Sequence, residues 1–248
     1  LHTAYRRQRQ MCIRDRTYGM PELITGKAAD GSYTRQRAAL PGTKRIAGPG
    51  CNVTATTLAL QPGIAEGLVE SQDIVADLVV GYSGAGKHLK RTNLLAAEAL
   101  QSALPYSVGG KHRHIPEILQ NFAHAAGKSA AEASEFTLGF TPILAPMSRG
   151  ILATVSARMT DKAKALSDEE IRAVWSKAYE GQDFMVLLPE GTLPAHRQVG
   201  TDRKAGRIYA FAAIDTLNRG TAGQAVQSLN IALGLPEDAG LTKIGVAP

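Results

Sequence analysis

A single cysteine, Cys51, follows the small and rigid residues Ala47-Gly48-Pro49-Gly50 and opens an apolar run. Val53, Thr56, Thr57, Leu58, Leu60 and Ile64 recur there at helical spacing, with Gly63 and Gly67 towards the end. The pattern predicts a helix whose first turn holds Cys51. Backbone N–H groups and the positive end of the helix dipole favour a thiolate at such a place, and helix-start cysteines have pKa values lowered into roughly the 3.5–7.5 range. A small buried core cysteine is the competing reading. Position alone does not separate the two.

Around this helix the chain alternates elements irregularly. Thr17 to Gly50 is rich in turn formers (Gly19, Pro21, Gly26, Gly31, Pro41, Gly42) and reads as extended connection with a short helix around Tyr33–Ala39. Asp73–Val80 is a predicted strand running into Gly81-Tyr82-Ser83-Gly84-Ala85-Gly86-Lys87. Thr92–Leu104 reads as a helix stopped by Pro105, and Pro116 opens a second over Glu117–Ala126. Alternation of Phe136, Leu138 and Phe140, and of Ile151, Ala153, Val155 and Ala157, predicts two strands separated by a Pro142–Gly150 loop. Ser167-Asp168-Glu169-Glu170 is a capping box for a helix with Ile171, Val174, Trp175 and Ala178 on its apolar face. Met185–Leu188 and Arg207–Ile214 read as strands, and a closing helix, Ala222–Leu233, carries Ala225, Val226, Leu229, Ala232 and Leu233 on one side. The class is α/β or α+β.

With 248 residues and 44% hydrophobic content, there is material for one large domain or two smaller ones, each with a core. Two cysteines, Cys12 and Cys51, exclude a disulfide framework and fit a reducing compartment, and no apolar run reaches the roughly 18 residues needed to span a bilayer. A cytoplasmic protein with no membrane partner is expected. The net charge of +6 suggests nucleic acid, but five arginines (Arg6, Arg7, Arg9, Arg14, Arg16) against Asp15 put +4 of it into residues 1–16. The rest is mixed in sign with no basic stripe, so no nucleic-acid partner is expected. Gln8 to Arg16 resembles translated sequencing-adapter read-through, and natural sequence is expected to begin near Thr17.

Gly81 to Lys87 matches the first seven positions of a phosphate-binding P-loop, but His88 stands where Ser or Thr would hold magnesium. A P-loop ATPase is thereby disfavoured, and the glycines are better read as allowing close backbone approach. Lys111-His112-Arg113-His114-Ile115-Pro116-Glu117 sets two histidines, an arginine and a carboxylate around a helix start. A metal would need a third ligand that the spacing does not offer, so no metal is expected. An imidazole that moves protons for a thiolate, beside an arginine that holds an anion, suits the residues better. The nucleophile elbow of serine hydrolases is missing, as are the local signatures of cysteine proteases.

Thr17-Tyr18-Gly19-Met20-Pro21-Glu22-Leu23, Gly48-Pro49-Gly50-Cys51, Tyr82 to Lys87 and His112 to Ile118 together resemble the N-acetyl-gamma-glutamyl-phosphate reductases of arginine biosynthesis. Phe140-Thr141-Pro142, Arg149 to Leu152, Leu188 to Gly191, Gly220 to Gln227 and Gly245 to Pro248 carry the resemblance over nearly everything from residue 17 onward. It implies a catalytic and dimerisation domain of the glyceraldehyde-3-phosphate-dehydrogenase type, with a mixed, largely antiparallel sheet and helices on one face. It also implies NADPH-dependent reductive dephosphorylation of N-acetyl-L-glutamyl 5-phosphate to the 5-semialdehyde through a cysteine thioester, in a homo-oligomer (dimer or tetramer). Related reductases of aspartyl or aminoadipyl phosphate share the thioester step and are the alternative within this chemistry; a non-catalytic oligomerisation module is the alternative outside it.

Carried onto this chain, the resemblance makes Cys51 the nucleophile and His112 and His114 the proton-handling pair. Arg113, Glu117, Tyr106, Ser83 and Gly84 fall to the substrate, and Gly220, Thr221, Ala222 and Gly223 to the nicotinamide cofactor. No glycine-rich dinucleotide fingerprint precedes Cys51, the 193–201 region is shorter than in the family, Asn52-Val53 replaces an aromatic-proline pair, and Thr216 stands where Asn is usual. The expected organisation is residues 1–16 non-native, 17–50 a remnant of the cofactor domain and linker, 51–221 catalytic and dimerisation domain, and 222–248 a helix and tail that pack on the cofactor domain. A chain so organised is expected to turn over poorly with NADPH.

Overall fold

The computed structural model describes residues 16–85, 102–189, 198–216 and 218–243. In chain order the elements are β1 (Thr17–Tyr18), β2 (Ile24–Lys27), β3 (Tyr33–Arg35), a 3-10 turn (Gln36–Ala39), β4 (Ile46–Ala47), α1 (Cys51–Ala65) and β5 (Ile74–Gly81). A 3-10 turn (Tyr82–Ala85) follows, then β6 (Leu104–Pro105), α2 (Ile115–Ala125), a 3-10 stretch (Ala130–Glu135), β7 (Leu138–Ala145) and β8 (Ile151–Arg158). Last come α3 (Asp161–Lys164), α4 (Asp168–Tyr179), β9 (Gln198–Asp202), β10 (Arg207–Ile214), a π turn (Asn218–Ala222) and α5 (Gly223–Leu233).

The main sheet has the order β6-β7-β5-β8-β10-β9, and among the described residues β5–β7 is its parallel pairing, the others being antiparallel. The mixed, largely antiparallel sheet expected from the sequence is therefore present. Period-2 alternation sends Ile74, Ala76, Leu78 and Val80 of β5, Ile151, Ala153, Val155 and Ala157 of β8, and Ile208, Ala210, Ala212 and Ile214 of β10 to one buried face. α1 lies against that face over β8 and β10, with α2 and α4 packed beside it. Asn52 to Ile64 are all buried, which explains why α1 has no polar stripe. The α4 capping box forms as the sequence predicts, Ser167 N donating to Glu170 Oε2 at 2.7 Å and Glu170 N to Ser167 Oγ at 3.2 Å.

Four expectations need correction or placement. Pro142 lies inside β7, in register with Leu78, near the end of the β6 pairing, where its carbonyl still accepts from Tyr106 N at 3.1 Å and only its own missing N–H is lost to the ladder. Met185–Leu188 forms no extended strand, only an isolated bridge at Leu187; Val186 is exposed and the Arg172 guanidinium bonds the Leu188 carbonyl. Residues 17–47 hold four short strands rather than plain connection, β1 pairing with β4 and β2 with β3. The predicted helix Thr92–Leu104 lies outside the described residues up to 101, and Leu104 itself pairs in β6. Segment 1–15, Gly86 to His88, most of the shortened 193–201 region and the 245–248 tail also lie outside them. No helix among the described residues is long and apolar enough to cross a membrane.

Candidate active site

α1 begins at Cys51, as the sequence predicts. Its N-cap is Gly50 in an extended conformation (φ −71°, ψ 146°), a position that lacks a side-chain cap. Glu117 on α2 secures this turn, its Oε1 accepting from Gly50 N at 3.2 Å and from the Tyr18 hydroxyl at 2.9 Å. Gly50 admits no side chain, since a Cβ there would overlap the imidazole of His114. The same contact puts His114 Nε2 at the residue preceding the cysteine.

His112 and His114 are both buried, their rings meeting edge to face with centroids 4.6 Å apart. His114 N donates to His112 Nδ1 at 3.1 Å. Neutral His112 therefore carries its ring proton on Nε2. Tyr106 packs edge-on against His112 at 5.7 Å, and Phe140 closes its other side at 5.0 Å. The Tyr106 hydroxyl accepts from Asn52 Nδ2 at 3.3 Å, and the Cys51 thiol lies 3.8 Å from Asn52 Oδ1. Arg113, between the histidines, is exposed.

The opposite wall comes from the C-terminal part of the sheet. Thr216, buried after β10, accepts from Gly150 N at 3.1 Å and shares a 3.3 Å hydrogen bond with Ser83, which is exposed beside the exposed Gly84. The π turn then folds back, and Gly220 abuts the cysteine: a Cβ on it would stand 3.0 Å from Cys51 Cβ and 3.3 Å from Thr216 Cβ. Gly81, first residue of the apparent P-loop, is packed equally tightly, with Arg149 backbone atoms 2.7–2.8 Å from a would-be Cβ. Close approach of one backbone to another accounts for that glycine.

One reading changes. Burial pushes the Cys51 thiol up, against the pull of the Asn52 and Cys51 backbone N–H groups and the Arg113 charge and with some help from Glu117. The helix start thus supplies the donors that the sequence reading expected, but desolvation outweighs them. Packing is close at the glycines that the resemblance gives to a cofactor. Gly220 lacks a side chain because Cys51 and Thr216 fill the space, and Gly223 because Asn218 does, while Thr221 and Ala222 are exposed.

In the sequence Asn52 and Thr216 stand out only as departures from a pattern, Tyr18 only as part of a resembling string, and Arg219 not at all. Among the described residues no group of three or more His, Cys, Asp or Glu side chains is placed to hold a metal ion.

Residues 51–215 match the model of the semialdehyde dehydrogenase dimerisation domain. The chain belongs to this family. The N-acetyl-gamma-glutamyl-phosphate reductase of Bifidobacterium longum strain DJO10A is 94% identical over 242 residues, covering 94% of this chain and 66% of the relative. The proteins of the same name from Bifidobacterium animalis subsp. lactis and Leifsonia xyli are 66% and 50% identical, covering 66% and 65% of those relatives. The chain thus spans just under two thirds of the length of the curated relatives it matches, and the resemblance read from its motifs holds across that span. Among solved structures, an aspartate semialdehyde dehydrogenase II from Vibrio cholerae complexed with ASA superposes with a TM-score of 0.60 at 16% identity, covering 88% of this chain and 68% of that one. One from Candida albicans, solved with NADP, gives a TM-score of 0.51 at 15% identity, covering 75% and 57%. At such identities the likeness establishes the fold.

Proposed function

We propose that this chain carries the acyl-transfer half of an N-acetyl-gamma-glutamyl-phosphate reductase, the whole reaction being NADPH-dependent reduction of N-acetyl-L-glutamyl 5-phosphate to its 5-semialdehyde in arginine biosynthesis. The observation that carries the reading is Cys51 at the first turn of α1, bracketed by the buried His112–His114 pair on one side and by Gly220 on the other. A thiol raised by burial must lose its proton before it attacks. In this reading His114, packed on Gly50, takes that proton, and His112, whose Nδ1 accepts from His114 N, donates to the acyl oxygen from Nε2. The sulfur then bonds to the acyl carbon, the carbon–oxygen bond to phosphate breaks, and inorganic phosphate leaves with the bonding pair. Both histidines are needed. Arg113 at the rim supplies positive charge for the phosphate, Tyr106, Ser83 and Gly84 line the substrate's approach, and Glu117 acts by holding Gly50. The sheet face opposite α1, where Val79, Leu152, Tyr209 and Phe211 are half-buried, suits the partner copy of a homo-oligomer. A free thiol at the centre suits the reducing cytoplasm.

The acyl-transfer half needs no cofactor, so it is tested alone. Mixing the chain with N-acetyl-L-glutamyl 5-phosphate is expected to release about one phosphate per site and add an N-acetylglutamyl mass to the Cys51 peptide. Cys51→Ser is expected to do neither, and His112→Asn and His114→Asn to slow the burst by about 10²–10⁴ each. Phosphate release by wild type no faster than spontaneous hydrolysis would overturn the reading.

A further inference from the structure

Gly220 is held against Cys51 from behind. Its neighbour Arg219 is buried, and its NH2 donates to Glu22 Oε1 at 2.8 Å, across 197 residues of sequence. Gln227 on α5 joins both, Nε2 donating to the same Glu22 oxygen at 2.7 Å while its Oε1 accepts from Arg219 NH1. Phe184 lies 5.0 Å beneath the guanidinium. Gln227 Nε2 also donates to Glu237 Oε1 at 2.6 Å, and Glu237 pairs with Arg37. Desolvation opposes ionisation of Glu22, but Arg219 and Gln227 hold its carboxyl below the usual range.

As a source of stability this arrangement is poor. Glu22 Oε2 and Arg219 Nε are buried with no hydrogen-bond partner among the described residues, and buried ion pairs of this kind are often matched or bettered by apolar side chains of similar volume. What the pair fixes is position. Arg219 N and Gly220 N both donate to Asp215 O, at 2.8 and 3.2 Å, in a π turn, a conformation frequent at functional sites. With one backbone end tied to Asp215 and the side chain tied to Glu22, Gly220 is left only the place against the cysteine.

We propose that the Glu22–Arg219 pair, completed by Gln227, is a positioning device that sets how far Gly220 covers Cys51 and thereby sets the reactivity of the thiol. The proposal rests on Cys51 being the nucleophile, and Arg219 is a positioning residue within it. Among the described residues, the charges that act on the thiol are those of Arg113 and Glu117, with His114 against Gly50 and His112 beside it, all within 112–117, while Gly220 backbone abuts Cys51 from the other side. Loosening the cover therefore changes desolvation before it changes any charge.

The measurement is the pH profile of iodoacetamide alkylation of the whole chain, read by mass spectrometry on the Cys51 peptide so that Cys12 does not contribute. In Glu22→Leu/Arg219→Met, which removes both charges at once, the midpoint is expected to move to lower pH by about half a unit or more. Ile171→Ala, a buried change on α4, is expected to lower the melting temperature and leave the midpoint in place. A double variant whose profile coincides with wild type, or an equal shift in Ile171→Ala, overturns the proposal. Should the double variant not fold, Glu22→Gln decides in its place, a shift in the same direction sustaining the proposal and a coincident profile ending it. No acyl phosphate enters this measurement, so failure of the phosphate burst and failure of the midpoint shift are separate results.

Discussion

α1 and α5 meet near the site, α1 supplying Cys51 and α5 the buried face behind Gly220, yet they obey opposite rules of burial. α1 is surrounded, and its apolar residues Val53, Leu58 and Leu60 are buried along with Thr54, Thr56 and Thr57. α5 buries Gln224, Gln227, Ser228 and Asn230 and exposes Val226, Leu229 and Leu233, so of the face its apolar spacing marks only Ala232 is buried. The polar residues are used as bonds: Gln224 Oε1 accepts from Thr54 Oγ1 at 3.0 Å, and Asn230 Nδ2 donates to the carbonyls of Glu237 and Ala239 at 3.1 and 2.9 Å. One helix is held by area removed from water and the other by directed hydrogen bonds. Apolar periodicity identifies a helix in both cases, but it identifies the buried side only where the described chain offers an apolar partner.

The contrast has measurable edges. Leu58→Ala, deep in α1, is expected to cost about 2–5 kcal/mol in denaturant unfolding; a loss near zero would mean that α1 is not the core helix. On α5, Gln227→Met removes hydrogen bonds to an ionised group, and a loss of about 1.5–3 kcal/mol is expected. An unchanged midpoint in urea would put α5 under the same rule as α1.

Acid should discriminate too. Glu22 in the folded chain ionises below the ordinary carboxylate value of 4.5, so below that pH the unfolded chain binds the extra proton. The contribution of Glu22 is present above 4.5 and is lost as pH falls through the folded value. Glu22→Gln is expected to flatten the acid limb of a melting-temperature profile, and a limb as steep as wild type would show that other carboxylates govern it. The smallest effect is expected from Leu229→Ser or Leu233→Ser, within about 0.5 kcal/mol of wild type. A large loss there would reveal that the exposed stripe is covered in solution.

Much of the site was legible before the fold. Cys51 at a helix start and the His112–His114 pair follow from spacing and residue type, because caps and short motifs are local geometry. Arg219 carried no such signal: a lone arginine in a glycine-containing turn looks like any surface cation until Glu22 is brought to it. Tyr18 was equally silent, since its hydroxyl matters only through Glu117 and Gly50.

Taken alone, the sequence determined the type and approximate bounds of α1, α2, α4, β5, β8 and β10, the order of the motifs, and the place of Cys51 at a helix start. Those properties depend on neighbours within a turn or two, which the chain order itself supplies. Tertiary structure alone decided that the Cys51 thiol is raised rather than lowered, that Gly220 rather than a side chain closes over it, that Glu22 and Arg219 pair, and that α5 turns its polar face inward. Each of these depends on desolvation or on contacts between residues far apart in sequence, and neither is written in local periodicity.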